Sequence, residues 1–469
     1  MADFEMPLAI SFQNKCSFFL KRKNRYCKMI PGKGKKFCGE HSYLELGQNE
    51  VSAKRKRINC PLDENHTVFE DQLEKHLKKC NVTKKRQVEY YEKNINNGQL
   101  LTDTNHQLKK QPLKNIPKED IQLCIEKIRS FFKEIPLVIK ESYLSQKNVD
   151  DEIDETSPVL GKHLQQQSSL IGNMRAADLL ASNSIYVEFG AGRGMLSHWV
   201  QKSMKDIENI DFLLVDRASC RYKADSYHRR IDQGPTFNRI QIDIQHLNLK
   251  NVPLISNSDQ YLTGVSKHLC GAATDLALRC LMNTSESSRS VILTQKRADE
   301  RVCKRMKLED SRVNGLAFAL CCHHCCSWDT YVAREFLEFH GFNEYYFNIV
   351  CGLTSWATCG SRHNVREKKT NGEDTLTVNN AETLNNKTNG DSKALQDKEN
   401  VSCLKSLGLS KSESEHIGRQ SKRLLDVGRL SYLNKHDLDT CLVYYVDRSV
   451  SLENVALIAW NRKRCRGMA

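Results

Sequence analysis

Residues 185–194 read IYVEFGAGRG, a short β-prone run that breaks into alternating glycines. Immediately afterwards Met195, Leu196, Trp199 and Val200 recur at helical spacing, so the stretch predicts strand, tight turn and helix in succession. Gly190, Gly192 and Gly194 suit such a turn because the chain must reverse sharply and present bare backbone at the mouth of a parallel sheet. The fold class expected from this unit is α/β, Rossmann-like, with the remaining strands laid out on either side of it.

The turn departs from the dinucleotide pattern G-x-G-x-x-G by closing one residue early. Glu188 stands two positions before the first glycine, where its charge would repel a pyrophosphate and attract a cation. Residues 212–215 form a second apolar strand that ends in Asp216, placed as the carboxylate that binds ribose hydroxyls in such folds. A ligand with both ribose and positive charge is S-adenosylmethionine, and Glu188, Gly190, Ala191, Gly192, Gly194 and Asp216 are its candidate binding residues. A nicotinamide oxidoreductase is disfavoured by the early third glycine and by Glu188.

The chain of 469 residues has room for about two to four domains. No run is long and apolar enough to span a bilayer, and the first residues lack a signal-peptide pattern, so a soluble intracellular protein of the nucleus or cytoplasm is expected. Nineteen cysteines in that setting point to thiols and metal ligands rather than disulfides. The formal charge is +14, and the first hundred residues carry 20 Lys and Arg against 12 Asp and Glu, which suits a polyanionic partner held through its phosphates.

Two metal-binding patterns occupy the front of the chain. Cys16, Cys27, Cys38 and His41 supply three thiolates and an imidazole, a closed tetrahedral set for zinc, in a basic segment too small to hold its loops without metal. Cys60, His66, His76 and Cys80 follow, with His76 and Cys80 on one helical face. Neither set has the spacing of DNA-reading Cys2His2 fingers. The expected organisation is a Cys-Cys-Cys-His finger over 10–46, a Cys-His-His-Cys finger over 57–84, a polar and partly helical connector over 85–154, and an α/β domain over 155–469.

Within the connector, residues 121–135 repeat apolar positions at helical spacing, and 160–180 reads as a further helix that packs on the sheet or covers the cofactor. Strands are expected at 239–244, 260–266, 315–320 and 343–350, helices at 276–281, 331–340 and 417–433, and a closing pair of strands at 441–446 and 454–460. Asp243 either bonds an adenine amino group or caps the turn after its strand. Residues 283–312 read as a polar insertion, and 361–416 are too poor in apolar residues to support a core, which predicts a disordered insertion. Lys267, His268 and Asp275 fall in the loop expected beyond the fourth strand, on the border of the ligand crevice. Residues 321–326, CCHHCC, offer six metal ligands in a row; neighbours on an extended chain point to opposite faces, so one ion would reach only some of them.

The two fingers, VEFGAGRG, KHLCGAATD, CCHH, TSWATCG and IGRQSKRLLDVGRLSYL together resemble the eukaryotic tRNA 2′-O-methyltransferases that modify the fourth nucleotide of the acceptor stem. The resemblance spans nearly the whole chain apart from the connector and the two insertions. It implies S-adenosylmethionine as donor, two structural zinc ions, tRNA as substrate and a ribose 2′-hydroxyl as acceptor. On that footing Lys267 is the expected catalytic group, His268 the alternative proton acceptor and Asp275 the residue that orients either; the identity of the general base stays open, as does a role for all three in holding the loop. A non-catalytic RNA-binding protein on the same scaffold, or a methyltransferase acting on a base, are the rival readings. Oligomeric state is not legible in the sequence.

Overall fold

In a computed structural model the predicted strand–turn–helix unit forms the middle of an eight-stranded sheet. The structure describes residues 15–20, 25–38, 41, 57–80, 83, 86–98, 110–153, 158–205, 207–220, 224, 235–284, 311–358 and 407–463. The chain divides into two compact units, residues 1–86 and 87–469.

The first unit contains two small hairpins. Strands β1 (Phe19–Leu20) and β2 (Arg25–Tyr26) pair antiparallel, as do β3 (Arg57–Cys60) and β4 (Asp63–Phe69), and helix α1 (Leu73–Lys79) follows β4.

The second unit is built on strands β5 (Lys140–Glu141), β6 (Ser184–Phe189), β7 (Ile210–Asp216), β8 (Phe237–Gln241), β9 (Tyr261–Cys270), β10 (Val313–Cys321), β11 (Leu438–Tyr444) and β12 (Val455–Asn461). Their order across the sheet is β5-β11-β12-β10-β9-β6-β7-β8. Strands β8, β7, β6, β9 and β10 run parallel, β12 lies antiparallel between β10 and β11, and β5 is parallel to β11. All six residues of β6 are buried, as expected for a central strand covered on both faces.

Helices α2 (Lys118–Glu134), α3 (Pro158–Ala176), α4 (Met195–Lys202), α5 (Ala272–Met282), α6 (Arg334–Phe339), α7 (Glu344–Leu353) and α8 (Lys411–Asn434) surround the sheet. One face of the sheet packs Leu170, Ile171 and Met174 of α3 and Trp199 and Val200 of α4 against Tyr186 and Phe212. The other packs Leu278 and Leu281 of α5 against Val187, Phe318 and Leu457. A third core joins Ile121, Ile125, Ile128 and Phe131 of α2 to Phe347, Trp356, Leu424 and Leu425. Each large apolar side chain so buried contributes about 1.5–3 kcal/mol. Residues 118–134, expected as part of a connector, therefore belong to the core of the second unit.

Several expectations are corrected. Residues 343–350 are not a strand: 344–350 lie in α7, because Asn343 caps the helix by accepting from the Tyr346 amide at 3.1 Å, and Phe347, Val350 and Cys351 then bury one face. Strand β9 continues to Cys270, so Lys267 and His268 stand on the strand rather than in a loop; pairing with β10 as far as Cys321 opposite Cys270 extends it. Asp275 lies inside α5. Helix α8 begins at Lys411, within the stretch expected to be disordered, because Ser410 and Glu413 form a reciprocal capping box. Residues 361–406 of that stretch, and residues 285–310, lie outside the described residues. No helix among the described residues is long and apolar enough to cross a membrane.

Candidate active site and metal centres

In the first unit the β1–β2 hairpin gathers Cys16, Cys27 and Cys38, all buried, around His41. His41 Nδ1 lies 3.4 Å from Cys16 Sγ and 3.3 Å from Cys38 Sγ, and Cys27 and Cys38 sulfurs are 3.9 Å apart. Ligand atoms on a tetrahedral zinc with bonds of about 2.0–2.3 Å are separated by roughly 3.5–3.8 Å, so the four groups have the dimensions of a zinc cage. Phe18 stacks on the His41 ring at 3.9 Å and fixes its orientation.

Cys60, His76 and Cys80 form a second set of the same size, with His76 Nε2 3.2 Å from Cys60 Sγ and the two sulfurs 4.0 Å apart. His66 lies on β4, and its side chain is outside the described residues.

In the second unit the strand order reverses between β6 and β9, which is where open α/β sheets bind ligands, beyond the carboxyl ends of the strands. The glycine turn sits there. Gly190, Gly192 and Gly194 have φ of 68°, 48° and 78°. A Cβ on Gly190 would lie 3.2 Å from the His268 carbonyl oxygen, so any side chain there would push the ends of β6 and β9 apart. In front of Gly192 the space is open: a Cβ there would meet nothing within 4 Å, so bare backbone is presented to a ligand.

The two carboxylates expected at the cofactor both shape this turn. Glu188 is buried, and its Oε2 accepts from the Ser197 amide at 3.1 Å and the Ser197 hydroxyl at 2.5 Å, holding the first turn of α4. Asp216 Oδ2 accepts from the Gly192 amide and Oδ1 from the Ala218 amide, each at 2.8 Å. A carboxylate has about four lone-pair sites, so these bonds leave acceptor capacity at Asp216 for a diol. Arg239 Nη1 donates to the Gly192 carbonyl at 2.8 Å from the neighbouring strand. Asp243 takes the capping role: its Oδ1 accepts from the Gln245 amide at 3.0 Å. Ala191 is buried beneath the turn.

Lys267 is buried on β9, with its Nζ 3.2 Å from both Nδ1 and the carbonyl oxygen of His163 on α3. The ring of His268 lies 6.1 Å from that of His163, edge to face. His163 is the member of this group that sequence reasoning placed only on a covering or packing helix. The signal was its position in the polar run 162–167 near the start of that helix.

Asp275 does not orient this group. It is fully buried and makes a bidentate pair with Arg429 of α8, Oδ2 to Nη2 at 2.7 Å and Oδ1 to Nε at 3.1 Å. Arg429 also donates to Asp426 Oδ1 at 3.1 Å and to Cys326 Sγ at 3.2 Å, and Asp426 accepts from His323 Nε2 at 2.8 Å. The pair is thus part of a buried network joining KHLCGAATD, CCHHCC and the RLLDVGR segment of α8.

Burial lowers the pKa of His323, which favours the neutral imidazole that donates Nε2–H to Asp426. For Asp426 burial acts to raise the pKa, but the charges of its basic neighbours outweigh it and hold the carboxyl well below the usual range. With the folded value of His323 below the unfolded value of about 6.5, the unfolded chain binds a proton that the folded chain refuses as pH falls below that value. Stability should therefore drop from about pH 6.5 downward, by up to about 1.4 kcal/mol per pH unit. Denaturant unfolding at a series of pH values should show this slope in the native protein and a shallower one in His323→Asn; equal slopes would refute the assignment.

The CCHHCC run divides. His323 and Cys326 turn into the buried network, while Cys321 and Cys322 approach Cys270 at the end of β9. Cys270 and Cys321 sulfurs are 3.5 Å apart. Hydrogen bonds from Cys321 and Cys322 pull the Cys270 thiol below its ordinary range.

Comparison with known proteins bears on this arrangement. The family model described as Methyltransferase TRM13 matches residues 165–460, the CCCH zinc finger in TRM13 protein matches 14–42, and the U11-48K-like CHHC zinc finger matches 57–81. The chain is 36% identical to the tRNA:m(4)X modification enzyme TRM13 homolog of Mus musculus, over 97% of each chain. It is 37% identical to the homolog of Homo sapiens, over 95% of this chain and 94% of that one. Identity to tRNA:m(4)X modification enzyme TRM13 of Saccharomyces cerevisiae is 29%, over 96% of each. No solved structure matches the chain. With both finger matches and the methyltransferase match in sequence order, the chain belongs to the TRM13 methyltransferase family.

Proposed function

We propose that the protein transfers a methyl group from S-adenosylmethionine to the ribose 2′-hydroxyl of nucleotide 4 in the tRNA acceptor stem. The observation that carries this reading is that, at the reversal of strand order, the glycine turn packs against His268, whose chain neighbour Lys267 meets His163. The sheet order β8-β7-β6-β9-β10-β12-β11, with β12 antiparallel, supports a Rossmann-like methyltransferase domain. The names of the relatives support tRNA and position 4.

Asp216 would receive the ribose hydroxyls, and the bare backbone at Gly192 would let the nucleoside approach closely. Glu188 would supply negative potential beneath the donor while it holds α4. The donor, when bound, supplies a methyl carbon already activated by sulfonium, so the protein's task is alignment and exclusion of water. Lys267 would orient the 2′-hydroxyl, and either it, in its neutral form, or the neighbouring histidines would accept the hydroxyl proton as the C–O bond forms and the methyl carbon–sulfur bond breaks. An A-form stem displays its 2′-hydroxyls in a wide minor groove, so the nucleotide can react without being extruded.

The segment of residues 15–41 exposes Lys15, Lys28, Lys33, Lys35 and Lys36, a surface suited to phosphates. In the Cys-His-His-Cys finger we assign His66 as the fourth ligand beside Cys60, His76 and Cys80. The direct test is incubation with labelled S-adenosylmethionine and total tRNA, followed by nuclease mapping. Label at the 2′-oxygen of nucleotide 4 is expected; label on a base, or none, would overturn the assignment. In the same assay, removal of residues 1–86 should raise the apparent KM for tRNA and flatten its dependence on salt.

A further inference from the structure

We propose a third zinc site in the second unit, formed by Cys270, Cys321 and Cys322, separate from the two fingers and linking the ends of two neighbouring strands. Cys270 ends β9 and Cys321 ends β10, and the two are register partners in a parallel pair. Cross-strand partners project to the same face of a sheet, and here their sulfurs are 3.5 Å apart. That separation is close to the edge of a thiolate tetrahedron around zinc, roughly 3.8 Å.

Successive residues on an extended strand point to opposite faces, which would send Cys322 away from Cys321. The chain avoids this at the one place where it matters. Cys322 adopts a left-handed backbone with φ of 49°, a conformation disfavoured for any residue but glycine. The result is that all three sulfurs lie within 4.8 Å of one another. A second close contact locks the two chain segments over the group. Gly271 has φ of 56°, and a Cβ there would lie 2.4 Å from Cys325, so the turn after β9 and the turn after β10 press together with no room for a side chain.

Three thiolates select a soft or borderline cation, and among those zinc takes this donor set in a tetrahedron. Cys270 is exposed, so the fourth position opens to solvent and accepts water or an incoming donor atom. Binding requires the thiolate forms; the protons leave to solvent as the metal–sulfur bonds form. The ion would tie together the ends of the strands three residues beyond Lys267, and so fix the wall of the crevice that holds it.

The test is metal content, measured on full-length protein by plasma mass spectrometry. The native chain should carry about one equivalent more zinc than Cys321→Ser and than the milder Cys270→Ser, which alters the exposed strand end. Because a variant that misfolds would lose metal indirectly, the native protein is also alkylated with and without a chelator and mapped by peptide. Cys270, Cys321 and Cys322 should be protected together and released together. Equal zinc in native and variant proteins, free alkylation of all three thiols without chelator, or recovery of a Cys270–Cys321 disulfide from freshly purified protein would each overturn the proposal.

Discussion

Replacing Lys267 with Ala is expected to lower the turnover of methyl transfer by about 10²–10⁴-fold, the range associated with a positioned acid–base group. The side chain is buried, its Nζ is held by two atoms of His163, and it stands beside the strand end that the glycine turn touches. Affinity for S-adenosylmethionine should change little, because the residues assigned to the nucleoside lie in the turn after β6 and at the end of β7. Calorimetry with the donor and single-turnover kinetics with tRNA separate the two effects. Lys267→Arg keeps a cationic side chain but moves the donor atoms and cannot accept a proton, so it should not restore turnover, and it should shift the pH profile of the remaining activity. Turnover within twofold of the native enzyme in Lys267→Ala would remove the residue from the chemistry.

The second large effect is expected on stability. Arg429→Met should destabilise the second unit by about 3–5 kcal/mol, because Asp275 would be left as a buried carboxylate without its counter-ion, while Asp426 would keep its pair with Arg423 at 2.9 Å. The loss should be read in urea as a lower transition midpoint. Asp275→Asn on the same background removes one stranded charge, so the double variant should be more stable than Arg429→Met alone. A cost below about 1 kcal/mol for Arg429→Met, or strictly additive variants, would mean that the network is solvated in solution.

The same network explains what was and was not legible in the sequence. Periodicity identified the strands around the glycine turn and the apolar face of α2, because local spacing records which side of an element is covered. It misread residues 343–350, where tyrosines and valine favour a strand but a single capping asparagine and the burial of Phe347 favour a helix. Long-range partners were the harder part. Asp275 looked like a crevice residue from its place after a strand, yet its partner is 154 positions away on α8. His163 was seen only as part of a helix, since nothing local says that it meets Lys267, 104 positions on. The six ligands of CCHHCC were visible as a run, but their division between a buried ion network and Cys270 depends on the left-handed turn at Cys322. Cys16, Cys27, Cys38 and His41, and Cys60, His76 and Cys80, come together as their spacing suggests, because thiols and imidazoles at short spacing need no distant partner to form a cage.

Strand β5 carries a consequence for how the sheet meets the outside world. Its two residues bind the outer side of β11, and the Ser142 amide continues the pairing by donating to the Tyr444 carbonyl at 2.9 Å. An uncovered outer strand is a template on which another polypeptide can add itself, the route to domain exchange and fibril growth. By laying the charged pair Lys140 and Glu141 along that margin, this short edge strand acts as a selvedge that keeps the weave from extending into a neighbour.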